Sequence, residues 1–74
     1  MPKKDLIKFH LKGNYVELYK ILKIEGLANS GGIAKLLVAD GLVKVNGKVE
    51  TRKRRKIVVG DTIEFNFWDI VVVC

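Results

Sequence analysis

Residues 30–56 decide the fold of this chain and read SGGIAKLLVADGLVKVNGKVETRKRRK. Ser30 can cap a helix by accepting a hydrogen bond from a backbone N–H of the first turn. Gly41 suits the left-handed backbone position that follows the last turn of a helix. We therefore predict a helix between these two residues. Its buried face is predicted to contain Ile33, Leu36 and Leu37.

A β-hairpin is predicted directly after this helix, over residues 43–49 (VKVNGKV). Asn46-Gly47 favours a type I′ turn, whose twist matches that of the flanking strands. Because side chains alternate along a strand, the two sides of the hairpin should differ in polarity. The core side is predicted to hold Val43, Val45 and Val49. The water side is predicted to hold Lys44 and Lys48.

The segment before Ser30 predicts a strand and another helix. Residues 7–11 alternate between apolar and polar side chains, which is typical of a half-buried strand, and His10 falls on the polar side. Asn14 can cap the helix that follows, and Gly26 is a plausible end of it. The apolar stripe of this helix is predicted to consist of Tyr15, Leu18, Tyr19 and Leu22.

The segment after the basic residues predicts a second hairpin. Gly60-Asp61 marks a turn, and strands over residues 62–67 and 70–73 are expected to flank a turn at Trp68-Asp69. Phe65 and Phe67 are expected in the core, with Trp68 as a lid over it. The predicted fold class is therefore α+β, with two short packed helices against a small, mainly antiparallel sheet of about five strands. A single domain over residues 1–74 is expected.

The positive charge of the chain is concentrated in its middle third. Residues 35–56 carry eight basic residues and only two acids, so this segment alone has a net charge of +6, equal to that of the whole protein. Five of the eight are consecutive, from Arg52 to Lys56. A segment this positive on ordered elements is expected to attract a polyanion.

Several function classes are disfavoured by the residues that the chain lacks. The one histidine, His10, and the one cysteine, Cys74, cannot form a nucleophilic triad or a thiolate metal site, so no enzyme, metal or cofactor is predicted. Gly31-Gly32 does not fit a phosphate-binding P-loop. The N-terminus resembles no signal peptide, and no apolar run is long enough to span a bilayer. A cytoplasmic protein without membrane contact is expected.

Two features could bind a phosphate backbone. Gly31 and Gly32 leave the first N–H groups of their helix unshielded, and Lys35 lies one turn further along. The two glycines could equally permit only a tight turn between the helices. The basic run, residues 52–56, contains three arginines, which pair with phosphate in a bidentate manner. A surface charge run can also be merely solvated, but the arginine content and the neighbouring hairpin lysines favour nucleic acid.

The ordered set of motifs resembles the S-four-type RNA-binding domain, also called the αL motif. The similarity covers about residues 16–64, and the Ser-Gly-Gly sequence and the Arg/Lys-rich link resemble those of small stand-alone bacterial members of the YbcJ and YaaA type. That family usually has an arginine after the serine, where this chain has Gly31. The matching positions are Ser30, Ala34, Lys35, Leu37, Val38, Gly41, Val43, Val45, Asn46, Gly47, Val49, Ile57, Gly60, Asp61 and Ile63.

The resemblance implies a non-catalytic protein that binds structured RNA, with ribosomal RNA as the expected partner class. It implies contacts at Ser30, Lys35, Asn46, Gly47 and Lys48. A protein-interaction or ribosome-assembly module with an acidic partner is the alternative, and DNA binding is disfavoured because the helix after Ser30 lacks the side chains that read base edges. A monomer is expected. The full set of predicted RNA-binding residues is Ser30, Gly31, Gly32, Lys35, Lys44, Asn46, Gly47, Lys48, Arg52, Lys53, Arg54, Arg55 and Lys56.

Overall fold

The computed structural model describes residues 5–74 of the chain. Within these residues two helices and seven strands follow one another along the chain. In order, they are β1 (Asp5–His10), β2 (Val16–Glu17), α1 (Leu18–Ile24), α2 (Gly31–Ala39), β3 (Val43–Val45), β4 (Lys48–Val49), β5 (Lys56–Ile57), β6 (Thr62–Phe65) and β7 (Trp68–Val73).

The main sheet has five strands in the order β1-β7-β6-β3-β4. All its neighbouring strands are antiparallel except β1 and β7, which are parallel, with Ile7 opposite Ile70 and Phe9 opposite Val72. Strands β2 and β5 form a separate antiparallel pair. The predicted α+β class with a mainly antiparallel sheet is therefore confirmed.

Both helices and one face of the main sheet enclose a single apolar core. The helices contribute Leu18, Ile21, Leu22, Ala34 and Val38, and the sheet contributes Phe9, Val43, Val45, Ile63, Phe65, Ile70 and Val72. By strand alternation, the residues between these positions, such as Lys8 and Lys44, lie on the outer face of the sheet, away from the helices. No helix within residues 5–74 has the length and apolar character needed to cross a membrane.

The predicted start of the first helix is wrong. Val16 and Glu17 pair with β5, and this extended pairing delays the helix until Leu18. Asn14 is therefore not its cap; the N-cap is Glu17, whose side chain makes no capping hydrogen bond. Tyr15 lies before the helix and is 48% exposed, so its predicted place in the core is also wrong.

The second helix begins as predicted but presents a different face to the core. The Ser30 hydroxyl accepts a hydrogen bond from the Ile33 N–H at 3.1 Å, which confirms the predicted cap. Ala34 and Val38 are buried, whereas Ile33 and Leu36 are exposed and Leu37 is half-buried. Ala34 and Val38 are four residues apart and so lie on one face of α2, and this face packs into the core in place of the one that holds Ile33 and Leu36.

The first hairpin has the predicted turn, but one of its valines is misplaced. Asn46 and Gly47 both have positive φ angles, 53° and 85°, as a type I′ turn requires. Val45 is buried as predicted. Val49 pairs with Lys44 on the edge strand and is exposed, because its side chain lies on the same side of the sheet as that lysine.

The turn of the second hairpin lies two residues earlier than predicted. Phe65 pairs with Trp68, so the turn is formed by Asn66-Phe67 rather than by Trp68-Asp69. Asn66 has a φ of 54°, a left-handed conformation that asparagine tolerates well. Phe67 is consequently exposed at the tip, and its predicted place in the core is wrong.

Candidate nucleic-acid interface

The backbone of the basic run caps helix α1. The first N–H groups of a helix have no partner within the helix, and here Leu18 N–H donates to the carbonyl of Arg55 at 3.0 Å and Tyr19 N–H to the carbonyl of Lys53 at 3.1 Å. A turn between Arg52 and Arg55, closed by a hydrogen bond of 3.1 Å, brings both carbonyls to the helix. The basic run is therefore a folded loop fixed by its main chain.

Glu50 anchors two arginines of this loop. Its side chain is almost completely buried, and it accepts hydrogen bonds from the Arg52 guanidinium at 3.0 and 3.1 Å, from the Arg52 backbone N–H at 3.0 Å and from the Arg55 guanidinium at 2.8 Å. The Arg52 side chain, chiefly, lowers the pKa of Glu50 to about 2, and Arg55 adds to this effect against the opposing effect of burial. Glu50 thus remains ionised and fixes both guanidinium groups at physiological pH.

Tyr19 joins the basic run to helix α2. The Lys35 ammonium lies 4.8 Å from the centre of the Tyr19 ring, and the Arg54 guanidinium carbon lies 5.8 Å from it. Arg54 also donates to Glu17 at 3.2 Å, and Lys20 pairs with the same carboxylate at 3.2 Å. Partial burial raises the pKa of Glu17, but its hydrogen bonds with these two cations prevail and the net shift is downward.

The packing at the start of α2 has room for a side chain at Gly31 and at Gly32. A β-carbon placed on Gly31 would lie 3.7 Å from Tyr19 Cε2, and one placed on Gly32 would lie 3.8 Å from the Ser30 hydroxyl, both ordinary contact distances. The packing therefore does not require glycine at either position. The backbone does not require it either, because neither residue has the left-handed conformation that favours glycine. Where the backbone conformation suits alanine, replacing glycine by alanine stabilises a protein by about 0.4–1 kcal/mol, chiefly by restricting the unfolded chain. The tight-turn explanation of Gly31-Gly32 therefore has no support from the packing of the helices.

The structure does not bring all the predicted contact residues to one side. Asn46 and Gly47 form the exposed hairpin tip, where the Asn46 amide donates to Asp61 at 3.0 Å and accepts from the Thr62 N–H at 2.9 Å. Lys48 is exposed and lies on the same side of the sheet as Val45, its strand partner. Lys44 lies on the outer face opposite Glu64 and is separated from the helices by the sheet.

The predicted site residues did not include the two residues that hold the cationic side chains in place, Glu50 and Tyr19. Glu50 is the acid two residues before the basic run, and this position indicates an anchor for its arginines. Tyr19, predicted on the core stripe of its helix, packs against the core but is only partly buried, and its ring also contacts cations on two elements. Within residues 5–74 no cluster of three or more His, Cys, Asp or Glu side chains could hold a metal ion.

Known proteins with this architecture include YbcJ of Escherichia coli (strain K12), which is 52% identical over 62 residues that make up 84% of this chain and 89% of YbcJ. The solution structure of Escherichia coli YbcJ, described as revealing an αL motif involved in RNA binding, has a TM-score of 0.72 and 48% identity, and the match covers 95% of this chain and 90% of that one. RlbA of Bacillus subtilis (strain 168), named "Probable ribosome maturation protein", is 37% identical over 49 residues, or 66% of this chain and 69% of RlbA.

The family model of the S4 domain matches residues 9–73, a wider span than the sequence motifs alone indicated. The resemblance drawn from those motifs is thereby confirmed. On the strength of this match and of the similarity to YbcJ, the chain belongs to the S4 domain family.

Proposed function

We propose that this protein binds structured RNA, without catalysing a reaction, through a surface that we call the basic face. This face combines the start of α2, the first hairpin tip and the basic run. Lys44 is excluded from it because that side chain lies on the outer face of the sheet. The basic face consists of Ser30, Gly31, Gly32, Lys35, Asn46, Gly47, Lys48, Arg52, Lys53, Arg54, Arg55 and Lys56.

The observation that supports this proposal most directly is the arrangement around Tyr19. Lys35 and Arg54 come from different elements, yet both lie against one ring. The loop that bears Arg54 is fixed by its hydrogen bonds to α1 and by Glu50. Charges held in place before binding lose less conformational freedom when a phosphate backbone arrives, which favours affinity.

We expect the protein to recognise the shape of the RNA rather than its base sequence. A-form RNA hides its base edges in a deep, narrow major groove, so a compact basic surface contacts phosphates and 2′-hydroxyls. If four or five phosphates are neutralised, affinity should fall about 100- to 500-fold between 50 and 200 mM salt. The RNA-binding motif of YbcJ supports RNA as the partner, and the name of RlbA supports ribosomal RNA, or an RNA of ribosome assembly, as its class.

A fluorescence-anisotropy titration with a hairpin RNA and its DNA counterpart, at two salt concentrations, tests the proposal. Lys53→Gln and Lys44→Gln form a matched pair, since each removes one exposed charge but only Lys53 belongs to the basic face. Lys53→Gln should weaken RNA binding about three- to tenfold and reduce the salt slope by about one. Lys44→Gln should change both quantities much less. Equal losses in the two variants would contradict the assignment of the basic face.

The alternative function, a module that docks an acidic protein partner, is supported by the apolar side chains next to this charge. Ile33 and Leu36 on α2 are exposed and lie close in sequence to Lys35. Such a mixed surface suits a protein interface, whose core is apolar and whose rim is polar. RNA and DNA that bind equally, with binding lost at the higher salt, would favour this alternative over RNA recognition.

A further inference from the structure

A groove lies between the end of β1, the segment that leads into β2, and the end of α1. Its volume is about 430 Å³, within the range of about 300–1,000 Å³ typical of small-molecule sites. Among its lining residues Phe9 is buried and Leu11 and Val16 are half-buried, whereas Tyr15 and Ile24 are exposed. The groove therefore offers an apolar floor and one accessible aromatic ring.

Tyr15 connects this groove to the basic face. The Lys56 ammonium, at the end of the basic run, lies 4.9 Å from the centre of the Tyr15 ring. The tyrosine side chain nevertheless remains 48% exposed, so much of it stays accessible. An RNA strand that contacts Lys56 would thus lie beside the Tyr15 ring.

The charges around the groove favour an anionic occupant. Lys12 lines it and Lys56 lies over the Tyr15 ring beside it, whereas Glu25 is the acidic side chain among the lining residues that the structure describes. An apolar floor and an exposed aromatic ring within a basic rim match the chemistry of a nucleotide, since the base stacks and the phosphate pairs with a cation. An apolar protein segment would gain nothing from the lysines.

We propose that this groove binds one unpaired nucleotide of the RNA that the basic face holds, with its base stacked against Tyr15. The proposal rests on the proposed function and names a structural element of the RNA that the protein prefers. An RNA helix with a bulged nucleotide presents both parts at once, because the helix occupies the basic face and the bulged base enters the groove. Unpaired bases in loops and bulges are the ones that proteins can stack on aromatic side chains.

The test compares two hairpin RNAs that differ only by a single bulged adenosine, titrated at one salt concentration. The wild-type protein should bind the bulged RNA about tenfold more tightly, in line with the contribution of one stacked base. Tyr15→Leu keeps an apolar side chain but removes the ring. It should bind both RNAs with the affinity that the wild-type protein has for the RNA without the bulge. Tyr15→Phe should retain the preference. Phe67→Ala is the matched control, since Phe67 is also an exposed aromatic residue but lies outside the groove.

The possible results separate this proposal from the proposed function. If the wild-type protein bound both RNAs with equal affinity, and Tyr15→Leu bound them with that same affinity, the nucleotide site would be overturned. RNA binding by the basic face would remain intact. An equal loss for both RNAs in Tyr15→Leu would also overturn the nucleotide site, because the ring would then support the basic face in general. If the titration of the hairpin RNA against its DNA counterpart, described under the proposed function, showed no preference for RNA, the proposed function and this inference would be refuted together.

Discussion

Replacing Glu50 by glutamine should destabilise the folded protein measurably, although it removes only one charge. The fall in the pKa of Glu50 from 4.5 to about 2 corresponds to roughly 3 kcal/mol of stabilisation at neutral pH. The Arg52 side chain is 75% exposed, so water screens its share of the interaction. We therefore expect Glu50→Gln to lower the free energy of unfolding by about 1–2 kcal/mol, or the Tm by roughly 4–16 °C.

The pH dependence of this difference identifies its origin. In the unfolded chain Glu50 takes up a proton near pH 4.5, whereas in the folded protein it stays ionised until about pH 2. The stabilisation is therefore fully present above pH 4.5 and is lost as the pH falls toward 2. Denaturant unfolding followed by circular dichroism should give a gap between wild type and Glu50→Gln that is constant from pH 7 to 5 and then closes.

An exposed acid provides the control for this experiment. Asp40→Asn changes the net charge by the same amount, but Asp40 is exposed at the end of α2, so the stability gap should stay within about 0.5 kcal/mol. A Glu50→Gln variant as stable as wild type at pH 7 would refute the anchoring role of this carboxylate. A gap that persists unchanged down to pH 2 would refute its electrostatic origin.

Three further variants test other parts of the fold and the basic face. Gly31→Ala should raise the free energy of unfolding by about 0.5–1 kcal/mol, since a β-carbon fits there, while weakening RNA binding in anisotropy titrations because it shields the N–H groups at the start of α2. In denaturant unfolding, Val38→Ala should lower the free energy of unfolding by about 1–3 kcal/mol. Leu36→Ala, at an exposed position, should lower it by less than about 0.5 kcal/mol. Equal losses would contradict the orientation of α2. Asn46→Ala should cost about 2–3 kcal/mol by the same measurement, through its positive φ and the lost hydrogen bonds to Asp61 and Thr62.

Local signals in the sequence predicted the features that depend on a few neighbouring residues. The Ser30 cap and the Asn46-Gly47 turn follow from one side chain or one backbone preference, so each could be predicted before the fold was known. The buried face of α2 could not, because it depends on the other elements that pack against the helix. The size of their apolar side chains favoured Ile33 and Leu36, but the residues of α2 that the fold buries are Ala34 and Val38.

The candidate site shows the same division between local composition and long-range contacts. Charge counting located the basic run, and the motif order located the start of α2. The pairing of Val16 with Ile57, about forty residues away in sequence, was not visible in either pattern. That pairing determines where α1 begins, and it leaves Tyr15 outside the core beside Lys56. The exposed ring next to the basic face is therefore a consequence of tertiary structure.

The way the basic run is held explains how five adjacent cations can belong to a stable small domain. Adjacent like charges repel one another and usually favour a flexible chain. Here the main chain of the run supplies the acceptors that α1 needs at its first turn, and no side chain of the run is used for that purpose. Glu50 and Glu17 neutralise part of the repulsion at Arg52, Arg55 and Arg54. Exposed cationic side chains can thus remain available to a phosphate backbone while the loop that bears them also completes the fold.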